Sequence, residues 1–101
     1  MTYDTFVWMM VDKDGYLMHG KTDGCLGCVS QELAEEARRR YLRLGYDTRW
    51  KKMTFFRASR LLPGGCNHIT IMQSFKDDGS AEQETYPIDR EPTAPDGQNR
   101  V

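Results

Sequence analysis

From Ser30 to Gly45 the chain reads SQELAEEARRRYLRLG, and here apolar residues recur with the period of a helix. At 100° per residue, Leu33, Ala34, Ala37, Tyr41 and Leu44 fall on one side, the stripe a helix lays against a sheet. Ser30 is placed to cap the first turn by accepting from a free backbone N–H. Glu32, Glu35 and Glu36 sit at the positive end of the helix dipole. Glu35 and Glu36 precede Arg39 and Arg40 by four residues, the favourable order for exposed ion pairs. Gly45 ends the segment in the left-handed conformation that glycine adopts without strain. Leu42 falls off the apolar stripe and marks an outward contact point.

Around this one helix the remaining apolar runs read as strands. Residues 3–11 (YDTFVWMMV) are apolar on both parities, as suits a strand covered on both faces. The turn DKDG follows, and YLMHGK returns as the second arm of a hairpin. Asp-x-Asp-Gly is similar to part of a calcium loop, but the remaining ligands are missing, so the segment reads as a turn. Residues 46–59 predict a third strand, RLLPGG a break, and NHITIMQSF a fourth strand. The expected architecture is therefore α+β, in the order β-β-α-β-β. Four antiparallel strands carry one helix on one face, and the compact domain spans residues 1–76. Residues 77–101 are rich in Asp, Glu, Gly, Pro, Ser and Gln, and only Tyr86, Ile88 and Val101 are apolar enough to anchor them. They predict a flexible acidic tail.

With 101 residues the chain is one domain with a small core. No run approaches the roughly 20 apolar residues of a membrane helix. MTYDTFVWMM lacks the basic start and cleavage site of a signal peptide, and three cysteines cannot all pair within one chain. These features predict a cytoplasmic protein without membrane contact.

The net charge of −1 conceals a strong asymmetry. Residues 38–60 hold nine basic side chains against the single acidic Asp47, whereas residues 77–101 hold seven acidic against two basic. In the basic segment Arg38, Arg39, Arg40, Arg43, Arg49, Lys51, Lys52, Arg57 and Arg60 alternate with Tyr41, Tyr46, Trp50, Phe55 and Phe56. Cations attract phosphates and aromatic faces stack on bases, so the composition predicts contact with nucleic acid or a nucleoprotein surface. Core packing of Trp50 and Phe56, and pairing of the helix arginines with glutamates, would account for part of the same pattern.

Cys25 and Cys28 admit three readings. With Cys66 and His68 they would complete a Cys3His zinc site, although His19 is an equally placed fourth ligand and the Cys-x-His spacing is atypical. Preceding a helix, they have the order of thioredoxin-like thiols, but the second helix and the strand-opening proline of that arrangement are missing. As small buried residues of a glycine-rich loop they need no chemistry, and this is the reading the sequence favours: no cofactor and no zinc.

Phosphate-binding Gly-x-x-x-x-Gly-Lys, Gly-x-Ser-x-Gly and His-Glu-x-x-His are all missing from the sequence. The expectation is a small non-enzymatic binding protein whose contact residues are Arg38, Arg39, Arg43, Arg49, Lys51, Lys52, Arg57 and Leu42. The alternative is a protein-binding inhibitor that occupies a partner's surface. A compact body with an acidic tail resembles, in general build, the small phage-encoded inhibitors of bacterial defence complexes.

Overall fold

The computed structural model describes residues 1–18 and 24–88. Five strands and two helices follow one another as β1 (Phe6–Val11), β2 (Cys25–Cys28), α1 (Gln31–Arg43), β3 (Arg49–Thr54), α2 (Phe55–Arg60), β4 (His68–Phe75) and β5 (Ala81–Pro87). They form one mixed sheet in the order β3-β1-β2-β4-β5. The α+β class is as the sequence predicts, but the sheet has five strands rather than four, and β2 and β4 run parallel. A parallel pair needs a long crossover, here supplied by residues 29–67 with α1, β3 and α2 inside them.

The expected hairpin is cut short. Asp12 accepts from the backbone N–H groups of Asp14 and Tyr16, closing the turn, and Gly15 has φ +89°. After it only Leu17 and Met18 bond back to β1. The rest of YLMHGK, from His19, lies outside the described residues. Cys-Leu-Gly-Cys takes the place beside β1 instead, with Trp8 opposite Cys28 and Met9 opposite Gly27. The composition of β2 that reads as a loop is a packing requirement. A Cβ on Gly27 would stand 2.5 Å from the Met9 sulfur and 2.9 Å from Ile71 Cδ1, so this central strand accepts no side chain there.

The helix begins and ends where its sequence indicates, although Leu44 of the expected stripe is exposed and Arg39 pairs with Glu36 rather than Glu35. Ser30 accepts from the Leu33 N–H at 3.2 Å, and Gly45 turns left-handed with φ +91°. The Tyr46 and Gly45 N–H groups then donate to the carbonyls of Tyr41 and Leu42, the Schellman termination. The third strand stops at Thr54, whose hydroxyl caps α2 by accepting from the Arg57 N–H. Phe55 and Ala58, three apart on this short helix, are buried with Leu62 beyond it.

Because side chains alternate across a strand, the two sheet faces carry separate cores. On one face, Val7, Met9, Cys25, Ile69 and Ile71 pack under α2 and the segment that follows it, with Phe55, Leu62 and Cys66. On the other, Cys28 and Met72 pack under α1 through Ala34 and Ala37. The segment read as the start of a flexible tail supplies β5, which pairs along β4 from His68↔Pro87 to Phe75↔Ala81. Its Tyr86, followed by Ile88, packs on the first core, which ties residues 81–88 down despite their acidic composition. Residues 89–101 of the expected tail lie outside the described residues. No described helix is long and apolar enough to cross a membrane.

Candidate nucleic-acid interface

The cleft beside α1 is built from small and flat residues. Ala34 and Ala37 let the helix approach the sheet closely, and both are buried. The sheet extends past the helix on the β1–β3 side, where Met10 pairs with Trp50 and Trp8 with Lys52. Trp8 and Trp50 are thus diagonal neighbours on the α1 face and are both half-buried. Between them and the first turns of α1 lies a cleft of about 440 Å³. Its floor is Trp8 and Trp50, one wall is the α1 surface with Gln31, Glu35 and Arg38, and its lip is Asp47, Thr48 and Arg49. The Trp50 indole N–H donates to Thr48 Oγ1 at 2.9 Å, which ties the ring to the lip. Arg38, with its side chain 55% exposed, stands 3.6 Å from Asp47, a loose surface pair that leaves the guanidinium available to an anion.

The cleft thus combines the aromatic rings of Trp8 and Trp50 with the cation of Arg38 and the polar groups of Glu35, Asp47 and Gln31. Next to it on the same face, the Lys52 ammonium sits 4.8 Å from the centre of the exposed Phe6 ring, a second aromatic–cation platform.

The other basic residues are divided between sites. Arg39 and Arg40 both bond Glu36, at 2.7 and 2.9 Å. Arg40 also covers the Phe75 ring and donates to the Gly79 carbonyl, so it ties α1 to the β4–β5 turn. Arg43 is exposed in the last turn of α1 and Leu42 is 52% exposed beside it. Lys51 pairs with Met9 and so lies on the opposite sheet face, the face that also carries Arg57 and Arg60 on α2. Hence Arg38 and Lys52 lie on the cleft side, whereas Lys51 and Arg57 do not share that face, and Arg49 borders the lip with its side chain directed, like that of Lys51, to the α2 face. On the far flank of α1, an apolar hollow of about 270 Å³ is lined by Ala37, Tyr41, Leu44, Met72 and Phe75 together with Arg40.

Strand geometry separates the two thiols of the Cys-x-x-Cys pair. Cys25 and Cys28 are three apart in a strand, so their thiols point to opposite faces: Cys25 joins the α2-side core and Cys28 the α1-side core. Cys25 Sγ lies 3.7 Å from Cys66 Sγ, both buried and not joined in a disulfide, and the Cys66 thiol donates to the His68 carbonyl. The His68 ring bonds Asn67 through Nδ1 and packs over Gly24, where any Cβ would strike it. His19 lies outside the described residues. Among the described residues no three His, Cys, Asp or Glu groups converge on one point. Burial pushes the Cys28 thiol up to about 12, and burial together with the hydrogen bond and charge of Cys66 does the same to Cys25. Neither is a nucleophilic thiolate at neutral pH.

Trp8, Gln31 and Glu35 line the cleft, and Phe6 stands beside it, without having been singled out as site residues from the sequence. Phe6 and Trp8 are recognisable there as aromatic strand residues, but the register that sets Trp8 beside Trp50 is a tertiary fact. No family model, curated protein or solved structure matches this chain significantly.

Proposed function

We propose that this protein is a non-enzymatic binder of single-stranded nucleic acid. The strand would run along the β1–β3 side of the α1 face, with one base seated between α1 and the two tryptophans. The observation that carries the reading is the coincidence of Trp8, Trp50 and Arg38 in one cleft of about 440 Å³, with Lys52 on the same sheet face. Single strands are favoured over duplex because stacking needs an unpaired base. The protein-binding alternative draws on the apolar hollow beside exposed Leu42 and Leu44.

Both tryptophans of the chain line the cleft, so their emission is a built-in probe of its occupancy. Titration with a short single-stranded oligonucleotide is expected to quench that emission saturably. Trp50→Ala should abolish most binding, because a stacked base contributes about 1–3 kcal/mol. Binding that survives Trp50→Ala unchanged would move the interface elsewhere. Failure of any single strand to bind at low salt, together with capture of a protein on the Leu42–Leu44 side, would favour the inhibitor reading.

A further inference from the structure

The two ends of the sheet differ in charge. β3 is one edge and carries Arg49, Lys51 and Lys52, all exposed; β5 is the other and carries Glu82 and Glu84, also exposed. Among the described residues, β3 pairs only with β1 and β5 only with β4, so each edge presents one unpaired row of backbone groups.

The charges also share a face. Lys51 is opposite Met9 and Arg49 opposite Val11, both residues of the α2-side core. Glu84 is opposite Ile71 of the same core, and its carboxylate accepts from Tyr86 on that face. Glu82 is opposite Ser74 and accepts from its hydroxyl. Strand direction completes the match. β3 runs antiparallel to β1 and so in the direction of β2 and β4, whereas β5 runs antiparallel to β4. A second copy moved sideways by one sheet width, without being turned over, therefore brings its β5 antiparallel to β3 of the first. In that arrangement Glu82 and Glu84 lie on the same side as Arg49 and Lys51.

From this complementarity we propose that β3 is a docking edge for β5 of a second copy of the same chain, continuing the sheet head to tail. Symmetric pairing is opposed on both edges. A β3–β3 contact would set Lys51 and Arg49 against their own copies, and a β5–β5 contact would set glutamate against glutamate, which is destabilising in a ladder. The contact is heterologous and does not consume its own surface, so assembly continues beyond a dimer unless a rotation closes a ring.

Sedimentation velocity on the full chain over a range of about 5 to 500 µM, at low and at high salt, tests this. The expected result is mass that grows past two copies with concentration and falls back to monomer as salt screens the edge charges. Lys51→Glu should weaken association by about fivefold or more, since it turns a cross-strand attraction into a repulsion. Adding Glu84→Lys to the same chain should restore it, because each edge then meets its complement again. Circular dichroism of each variant checks that the body is folded. Should Lys51→Glu fail to fold, the salt series on the unaltered chain decides alone. A monomer at every concentration would overturn the proposal, and so would a salt-insensitive dimer that stops at two copies or a double variant that stays dissociated.

Discussion

The two faces of the sheet use the same strands for different ends. On the α2 side the cover is continuous: Phe55, Ala58, Leu62 and Cys66 close over Val7, Met9, Ile69 and Ile71, and these strand residues are fully buried. On the α1 side a single helix touches the sheet through two alanines and leaves a hollow on each flank. The tighter cover concentrates hydrophobic stabilisation on one side, which frees the other to expose tryptophan, arginine and lysine without loss of the fold. A small domain with a limited core can support a binding cleft if one face carries most of the burial.

The comparison is broken most forcefully by removing β5. A chain lacking residues 79–101 loses Tyr86 and Ile88 from the sealed face and uncovers the whole edge of β4. It should lack a cooperative thermal transition, contrary to the expectation for a flexible tail; an unchanged melting curve would mean that β5 contributes nothing. Next in size, Ile71→Ala on the sealed face should cost about 2–5 kcal/mol in urea unfolding. Lys52→Ala on the open face should stay within about 0.5 kcal/mol. Equal costs would erase the distinction between the faces.

Thiol chemistry sharpens the same contrast from inside. With pKa values near 12, Cys25 and Cys28 hold only about one part in ten thousand as thiolate at about pH 8. Native protein should therefore resist iodoacetamide at those two positions, and denatured protein should be alkylated at both. Rapid labelling of Cys28 in the native state would show that the α1 side opens readily. The smallest effect lies on the outer surface of α1. Hydrogen bonds from Arg39, then Arg40, hold the Glu36 carboxyl below the usual carboxylate range. A carboxyl lowered in the folded state contributes stability above its unfolded pKa and loses it as pH falls through the folded value. Glu36→Gln should thus lower the melting temperature slightly at neutral pH, and the difference should vanish in strong acid.

How far the sequence could be read depended on whether the signal was local. Helix α1 was legible to within a residue, because Ser30, the apolar stripe and Gly45 act inside one segment. β2 was not, because Cys25–Cys28 is a strand for reasons held by its neighbours: only glycine fits between Met9 and Ile71. α2 was absorbed into a strand, since six residues give too little period, although Thr54 as a cap was a usable sign. β5 was hidden by its charge, and its strand character rests on pairing with β4 and on its two ends, Ala81 and Tyr86, reaching the two cores. The basic segment 38–60 was visible as composition, but which cations share a face depends on β3 register. That register groups Lys52 with the Trp8–Trp50 cleft and sends Lys51 to the other side.

The most direct measurement is a tryptophan-emission titration with one single-stranded oligonucleotide, run across a salt series on the unaltered chain and on a chain carrying Arg38→Ala and Lys52→Ala. If Arg38 and Lys52 each meet a phosphate, log affinity should fall against log salt with a slope of about −1.4. Losing both contacts should bring the slope close to zero, with folding unchanged. Quenching that is absent at low salt, or a slope that the two substitutions leave unaltered, would contradict the assignment of the α1-side cleft as the binding surface.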